Sequence, residues 1–162
     1  MNYLNNIKQL YRFSPIRDEK ELREAVVYVV DKTSDLAKKI IGKTLPINSL
    51  TIFAHYPDEF EKLSGMVKAL GNFVNENNGP RVALHEPIKV RENTIIHLRI
   101  RIPDPYRMQV GCNDFDVPDY IAFKNEYLSK HPNNLRLITR ETYEMIEFFD
   151  PDVDILAYIV SK

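Results

Sequence analysis

Apolar residues recur at helical spacing from Leu22 through Val26, Val29, Val30, Leu36, Ala37, Ile40 and Ile41, which predicts one long helix with a single buried stripe. Asp18 with Glu21 three residues later marks its start in the spacing of a capping box. Gly42 marks its end, since glycine enters the left-handed conformation freely there. Upstream, Leu4, Ile7 and Leu10/Tyr11 predict a short helix within residues 1–13, broken at Ser14-Pro15. Beyond Pro46 the period changes. Ser49–His55, rich in β-branched and aromatic residues, predicts a strand. Tyr56-Pro57-Asp58 opens a helix carrying Phe60, Leu63, Val67 and Leu70, which Gly71 closes. Strands are predicted next at Asn72–Asn75, Arg81–Lys89 and Thr94–Ile102. After Pro103-Asp104-Pro105 the order returns. Gln109–Val117 predicts a strand, Pro118-Asp119-Tyr120 opens a helix, and strands follow at Leu135–Arg140, Tyr143–Phe149 and Ile155–Val160.

A strand, a helix and three strands are therefore predicted twice, with Pro118 falling 61 residues after Pro57 at the same place in each unit. The expectation is an α+β fold: two βαβββ modules, about 47–103 and 106–162, forming a curved mixed or antiparallel sheet behind a helical segment, 1–46. Composition supports a packed domain, with 44% apolar and 28% charged residues in 162. A net charge of -1 offers no overall attraction to nucleic acid. One cysteine, Cys112, excludes an internal disulfide and a multi-cysteine zinc site. Met1 to Arg12 does not resemble a signal peptide, and no apolar run reaches the roughly 18 residues of a membrane helix, so a cytoplasmic protein off the membrane is expected. No glycine-rich phosphate loop, Gly-x-Ser-x-Gly or Cys-x-x-Cys occurs. The aromatics Phe53, Phe60, Phe73, Tyr143, Phe148, Phe149 and Tyr158 are expected in the core.

Asn78-Gly79-Pro80-Arg81, then Leu84-His85-Glu86-Pro87-Ile88-Lys89-Val90, and a closing Tyr143-Glu144-Met145-Ile146-Glu147-Phe148-Phe149-Asp150-Pro151 together resemble the vicinal-oxygen-chelate superfamily, the glyoxalase-like fold, and within it the YecM-like type of metal-binding protein. That resemblance implies a sheet cup in which two ligands from each module, usually His and Glu, hold one divalent metal (Zn, Ni, Mn or Fe) that acts as a Lewis acid. The chain departs from the pattern. The implied positions fall near Ser49–Thr51, Arg101, Asp114 and, on the last sheet, Glu144 and Glu147, and only the last sheet keeps ordinary acidic candidates. Arginine has no lone pair to offer a cation. An Arg101–Asp114 ion pair in the former metal position is the expectation, with no cofactor. The alternative is a divalent-metal lyase, isomerase or dioxygenase with displaced ligands His85, His97, Asp114 and Glu144.

Alternation sets the remaining candidates. In Thr94–Ile102, Ile96, Leu98, Ile100 and Ile102 share one face, and His97, Arg99 and Arg101 the other. Arginine matches carboxylate or phosphate bidentately, so His85, His97, Arg99, Arg101 and Asp114 are the candidate contacts for a small anionic ligand. The competing reading is a solvated sheet face whose arginines pair across strands with Asp114, Asp116 or Glu144. Cys112, Asp114 and Asp116 share a face, with Cys112 read as a small hydrophobe. Glu144 and Glu147 fall on opposite faces, so at most one enters the cup. A third expectation is a homodimer made through helices or edge strands.

Overall fold

The computed structural model describes residues 10–104 and 106–161. The short helix predicted through Leu4 and Ile7 lies outside them, and residues 10–13 form bends. The long helix α1 spans Glu19–Ile41. Asp18 accepts the Glu21 N–H at 2.8 Å, and the Glu21 carboxylate accepts the Arg17 N–H at 3.2 Å, one residue earlier than a strict capping box would place it. Gly42, at φ 79, donates its N–H to the Lys38 carbonyl at 2.9 Å. No described helix is long and apolar enough to cross a membrane.

The fold is α+β. After α1 come β1 (Ile47–Phe53), α2 (Pro57–Leu70), β2 (Gly71–Asn75), β3 (Arg81–Val90) and β4 (Asn93–Arg101). The second half contains β5 (Gly111–Phe115), α3 (Tyr120–Tyr127), β6 (Leu135–Thr139), β7 (Glu144–Phe148) and β8 (Ile155–Val160). Among the described residues the strands form one eight-stranded mixed sheet in the order β2-β3-β4-β1-β5-β8-β7-β6. β1 runs parallel to β4 and β5 parallel to β8, and the halves meet on the antiparallel pair β1–β5. Helix α1 lies against β1, β5 and β8, while α2 covers β3 and β4. Between helices and sheet sit Val26, Val29 and Leu63 with Leu50, Ile52, Leu98, Ile100, Ile146 and Ile159, all buried.

The matching Pro-Asp dipeptides do different work. Pro57 is the first residue of α2, and Glu59 reaches back to accept the His55 N–H at 2.7 Å. In the second half Pro118 stays outside the helix and Asp119 is the N-cap, accepting the Ala122 N–H at 3.0 Å.

Two expectations about burial fail. The register of β3 on β4 shifts between Ala83 and Ile88, leaving residues 84–87 without partners on β4. Pro87 lies in that irregularity, where its missing N–H breaks no ladder bond. The apolar stripe of β4 is displaced accordingly: Ile95 is buried, while Ile96 and Ile102 are exposed. Among the aromatics, Phe53 and Phe148 are buried but Phe73 and Tyr143 are exposed. Phe73 lies on an edge strand, and Tyr143 sits at the mouth of the cavity described next.

Candidate ligand-binding site

Strand β1 organises the face opposite the helices. Ser49 stands beside His97 on one side and Asp114 on the other; Thr51 stands beside Arg99 and Cys112; Phe53 stands beside Arg101. Asp114 in turn neighbours Tyr158 of β8, and Tyr158 neighbours Glu147 of β7. Five strand spacings separate β4 from β6, about 24 Å if the sheet were flat. Yet Arg99 and Arg101 of β4 and Ile138 of β6 line one cavity of roughly 320 Å³, so the sheet bends around it. Arg107, from the connection between the halves, and Arg140, just beyond β6, complete four arginines against a single lining carboxylate, Glu147.

Arg99 and Arg101 are held in place by groups other than carboxylates, whereas Arg107 pairs with Asp104 at 3.7 Å. The Arg99 Nη1 donates to the Gly79 carbonyl at 2.7 Å and also to the Asn77 carbonyl. The supporting turn is pinned along β4, with Ile102 N–H donating to Asn78 at 2.8 Å and Ile100 N–H to Pro80 at 3.1 Å. Gly79 has φ 125, and a Cβ there would stand 1.9 Å from the Ile100 carbonyl oxygen, so no other residue fits without rebuilding the turn. With both Nη1 protons committed, the Nε–Nη2 edge of Arg99 remains available, the edge that grips a carboxylate or phosphate with two parallel bonds. The Arg101 guanidinium lies 4.9 Å from the Phe53 ring centre. Arg81 donates to Ser49 Oγ at 3.4 Å, and its Nε is buried with no hydrogen-bond partner among the described residues.

The electrostatic surroundings shift the polar side chains. Asp114 is exposed but stands beside Ser49 on the concave face, where the surrounding protein displaces water and pushes its carboxyl pKa up; Arg81 and Arg99 oppose this in part. Burial pushes the Cys112 thiol up to about 12, so it stays protonated at neutral pH and is no nucleophile there. Burial, with the charge of Arg81, lowers the His97 pKa, leaving a neutral imidazole at pH 7.

Of the predicted contacts, His97, Arg99, Arg101 and Asp114 share this face. His85 does not join them: it is exposed, bonded to Asn72 of the edge strand at 3.1 Å, beside the β3 irregularity. Glu144 points to the helix side, where Lys124 donates to it at 2.6 Å and Tyr120 at 3.1 Å. The set His85, His97, Asp114 and Glu144 therefore fails to converge, and no three His, Cys, Asp or Glu among the described residues are placed to hold a metal. The expected Arg101–Asp114 ion pair is also not formed. Asp114 stands beside Ser49 with Arg81 and Arg99 as its neighbouring cations, whereas Arg101 lies further along β4, over Phe53. Nor do Arg99 or Arg101 pair with Asp116 or Glu144 among the described residues: Asp116 lies past the end of β5, and Lys124 holds Glu144. Met145 and Tyr143 were missed, with Tyr143 expected in the core; the signal that would have found them is their alternation with Glu147, opposite to Glu144, along β7 and its approach. Arg107 carried no periodic signal.

No family model matches the chain, and no curated protein matches it. Among solved structures, a chain described as "Structural Genomics, Protein EC4020" is similar, with a TM-score of 0.66 and 12% identity over 94% of this chain and 92% of that one. At such low identity the likeness concerns the fold alone.

Proposed function

We propose that the chain is a glyoxalase-like domain of the vicinal-oxygen-chelate type that binds a small organic or inorganic anion on its concave face, with Arg99 and Arg101 as the principal contacts and His97 and Asp114 bordering them. The paired strand order, 2-3-4-1 meeting 5-8-7-6 at the two first strands, supports the fold reading. The observation that carries the binding reading is that Arg99 and Arg101 line a cavity and make no ion pair among the described residues. A guanidinium charge held against carbonyls and a ring, inside a site from which water is partly excluded, is a preformed anion contact. The neutral His97 imidazole can accept a hydrogen bond at one ring nitrogen and donate one from the other, but adds no charge to the grip.

Isothermal titration of the full chain with sulfate, phosphate and simple carboxylates tests this. Saturable binding that Arg101→Ala weakens by tenfold or more supports it. Binding that appears only with added Zn, Ni, Mn or Fe and survives Arg101→Ala overturns it in favour of a metal-dependent activity.

A further inference from the structure

The cavity is not uniformly cationic. Its two sides come from different halves of the chain. The first half supplies Arg99 and Arg101, with Phe53 beneath Arg101. The second half supplies Ile138, Tyr143 and Met145, the larger apolar share of the lining, together with Arg140, Glu147 and Tyr158. Glu147 makes no ion pair among the described residues, although Arg136 is its cross-strand neighbour on β6. The Arg136 guanidinium instead lies 3.4 Å from the Phe149 ring centre. An unpaired carboxylate on the cavity lining is an acceptor open to a ligand's donor.

A simple inorganic anion would satisfy the arginines and leave the rest of this site without purpose. Desolvating Glu147 against such an ion would be unfavourable, since like charges repel at short range. Apolar side chains that stay solvent-accessible inside a concave site mark where a ligand's hydrocarbon part rests. Methionine is suited to this, because its flexible thioether adapts to shape.

We infer that the cavity takes an amphipathic organic anion that also carries a hydrogen-bond donor: its anionic group on the Arg99–Arg101 wall, its hydrocarbon body against Met145 and Ile138, and a hydroxyl or ammonium directed at Glu147. This deepens the anion-binding reading and depends on it. At roughly 320 Å³ the space suits a small metabolite rather than a polymer or a nucleotide with its sugar and phosphates.

Titration of the full chain with sulfate, 3-phenylpropionate, 3-phenyllactate and phenylalanine tests the assignment. The expected order is sulfate weakest, phenylpropionate at least fivefold tighter, and phenyllactate or phenylalanine at least fivefold tighter again. Whether the hydroxy or the amino acid leads separates a hydroxyl donor from an ammonium. Glu147→Ala should erase the advantage of those two over phenylpropionate, while phenylpropionate and sulfate bind at least as tightly as in the parent because a repelling charge is gone. Because Glu147 has no ion-pair partner to lose, this variant should melt with the parent; Tyr158→Phe gives a second probe of the same wall. Equal binding of the three phenyl compounds, in the parent and in Glu147→Ala, overturns the donor contact. Sulfate binding as tightly as phenylpropionate overturns the apolar wall. Absence of binding by every probe, sulfate included, removes the anion-binding reading itself.

Discussion

The last strand of each half occupies the same topological place, yet β4 and β8 present opposite chemistry to the cavity. On the concave face β4 carries His97, Arg99 and Arg101, while β8 carries Leu156, Tyr158 and Val160, placed there by the pairings of Asp114 with Tyr158 and of Cys112 with Leu156. The halves are also anchored differently. In the first, the N-terminal segment is tied down by Ser14 Oγ to His55 Nδ1 at 2.6 Å, by Tyr11 stacked 3.9 Å from the His55 ring, and by the Ile16 N–H on Glu59 at 2.6 Å. In the second, α3 is eight residues long and is tied to β7 through Lys124, Tyr120 and Glu144. A repeated order of elements thus repeats the scaffold without repeating the site. Geometry is copied because backbone pairing depends only on strand order, whereas side chains on an open face diverge with little consequence for folding.

The strongest way to break this contrast is Glu59→Ala. Glu59 is buried and accepts two backbone N–H groups, from His55 and Ile16. Removing it strands both donors, at about 1–3 kcal/mol each, so urea unfolding should register a loss of about 2–6 kcal/mol. A loss no greater than that from Glu144→Ala would show the two anchors to be equivalent.

Next in size is the contrast between the walls. Arg99→Ala and Arg101→Ala should each weaken sulfate binding by about 10- to 100-fold, the usual range for a charge-assisted contact. Arg136→Ala, whose guanidinium lies on Phe149 outside the cavity lining, should change it by less than about twofold. Equal effects in all three would mean that net charge, not the site, attracts the anion.

A smaller effect separates the second anchor by pH. The hydrogen bond from Lys124, and after it that from Tyr120, holds the Glu144 carboxyl below its ordinary value of 4.5. A lowered folded-state pKa stabilises the protein above the unfolded value and loses that contribution as pH falls through the folded one. The melting temperature should therefore drop on acidification through this range by more in the parent than in Glu144→Gln. Parallel pH curves would remove the anchor.

The smallest expected effect concerns Asp114, whose pKa is raised by the protein that displaces water around it. As pH falls from neutral, Asp114 protonates earlier than an ordinary aspartate and ceases to repel an incoming anion. Sulfate, whose charge is fixed over this range, should bind about twofold more tightly at mildly acidic pH, and Asp114→Asn should flatten that dependence. An unchanged slope in the variant would exclude Asp114 from the field of the site.

Much of the scaffold was legible in the chain. Periodicity located α1 and the strand–helix–strands order in both halves, because a buried stripe or face is a local constraint on residue type. Local signals failed where two solutions share one dipeptide: Pro57-Asp58 and Pro118-Asp119 look alike, but the acceptor that caps the helix is Glu59 in one case and Asp119 in the other. The site was legible in part. Alternation put His97, Arg99 and Arg101 on one face of β4, but it could not tell whether a carboxylate on another strand would meet them. It placed His85 by the same logic, and the irregularity at residues 84–87 leaves that imidazole at the β2 edge instead.

By itself, then, the sequence determined the order of helices and strands and, wherever a strand is regular, which side chains share a face, since these depend on neighbours a few residues away. Only the tertiary structure decided which faces meet. The bend of the sheet brings β4 and β6 to one cavity, the Asn77–Gly79 carbonyls immobilise Arg99, and Lys124 draws Glu144 to the other side. Each of these joins residues from separate elements, by contacts whose partners no local period encodes.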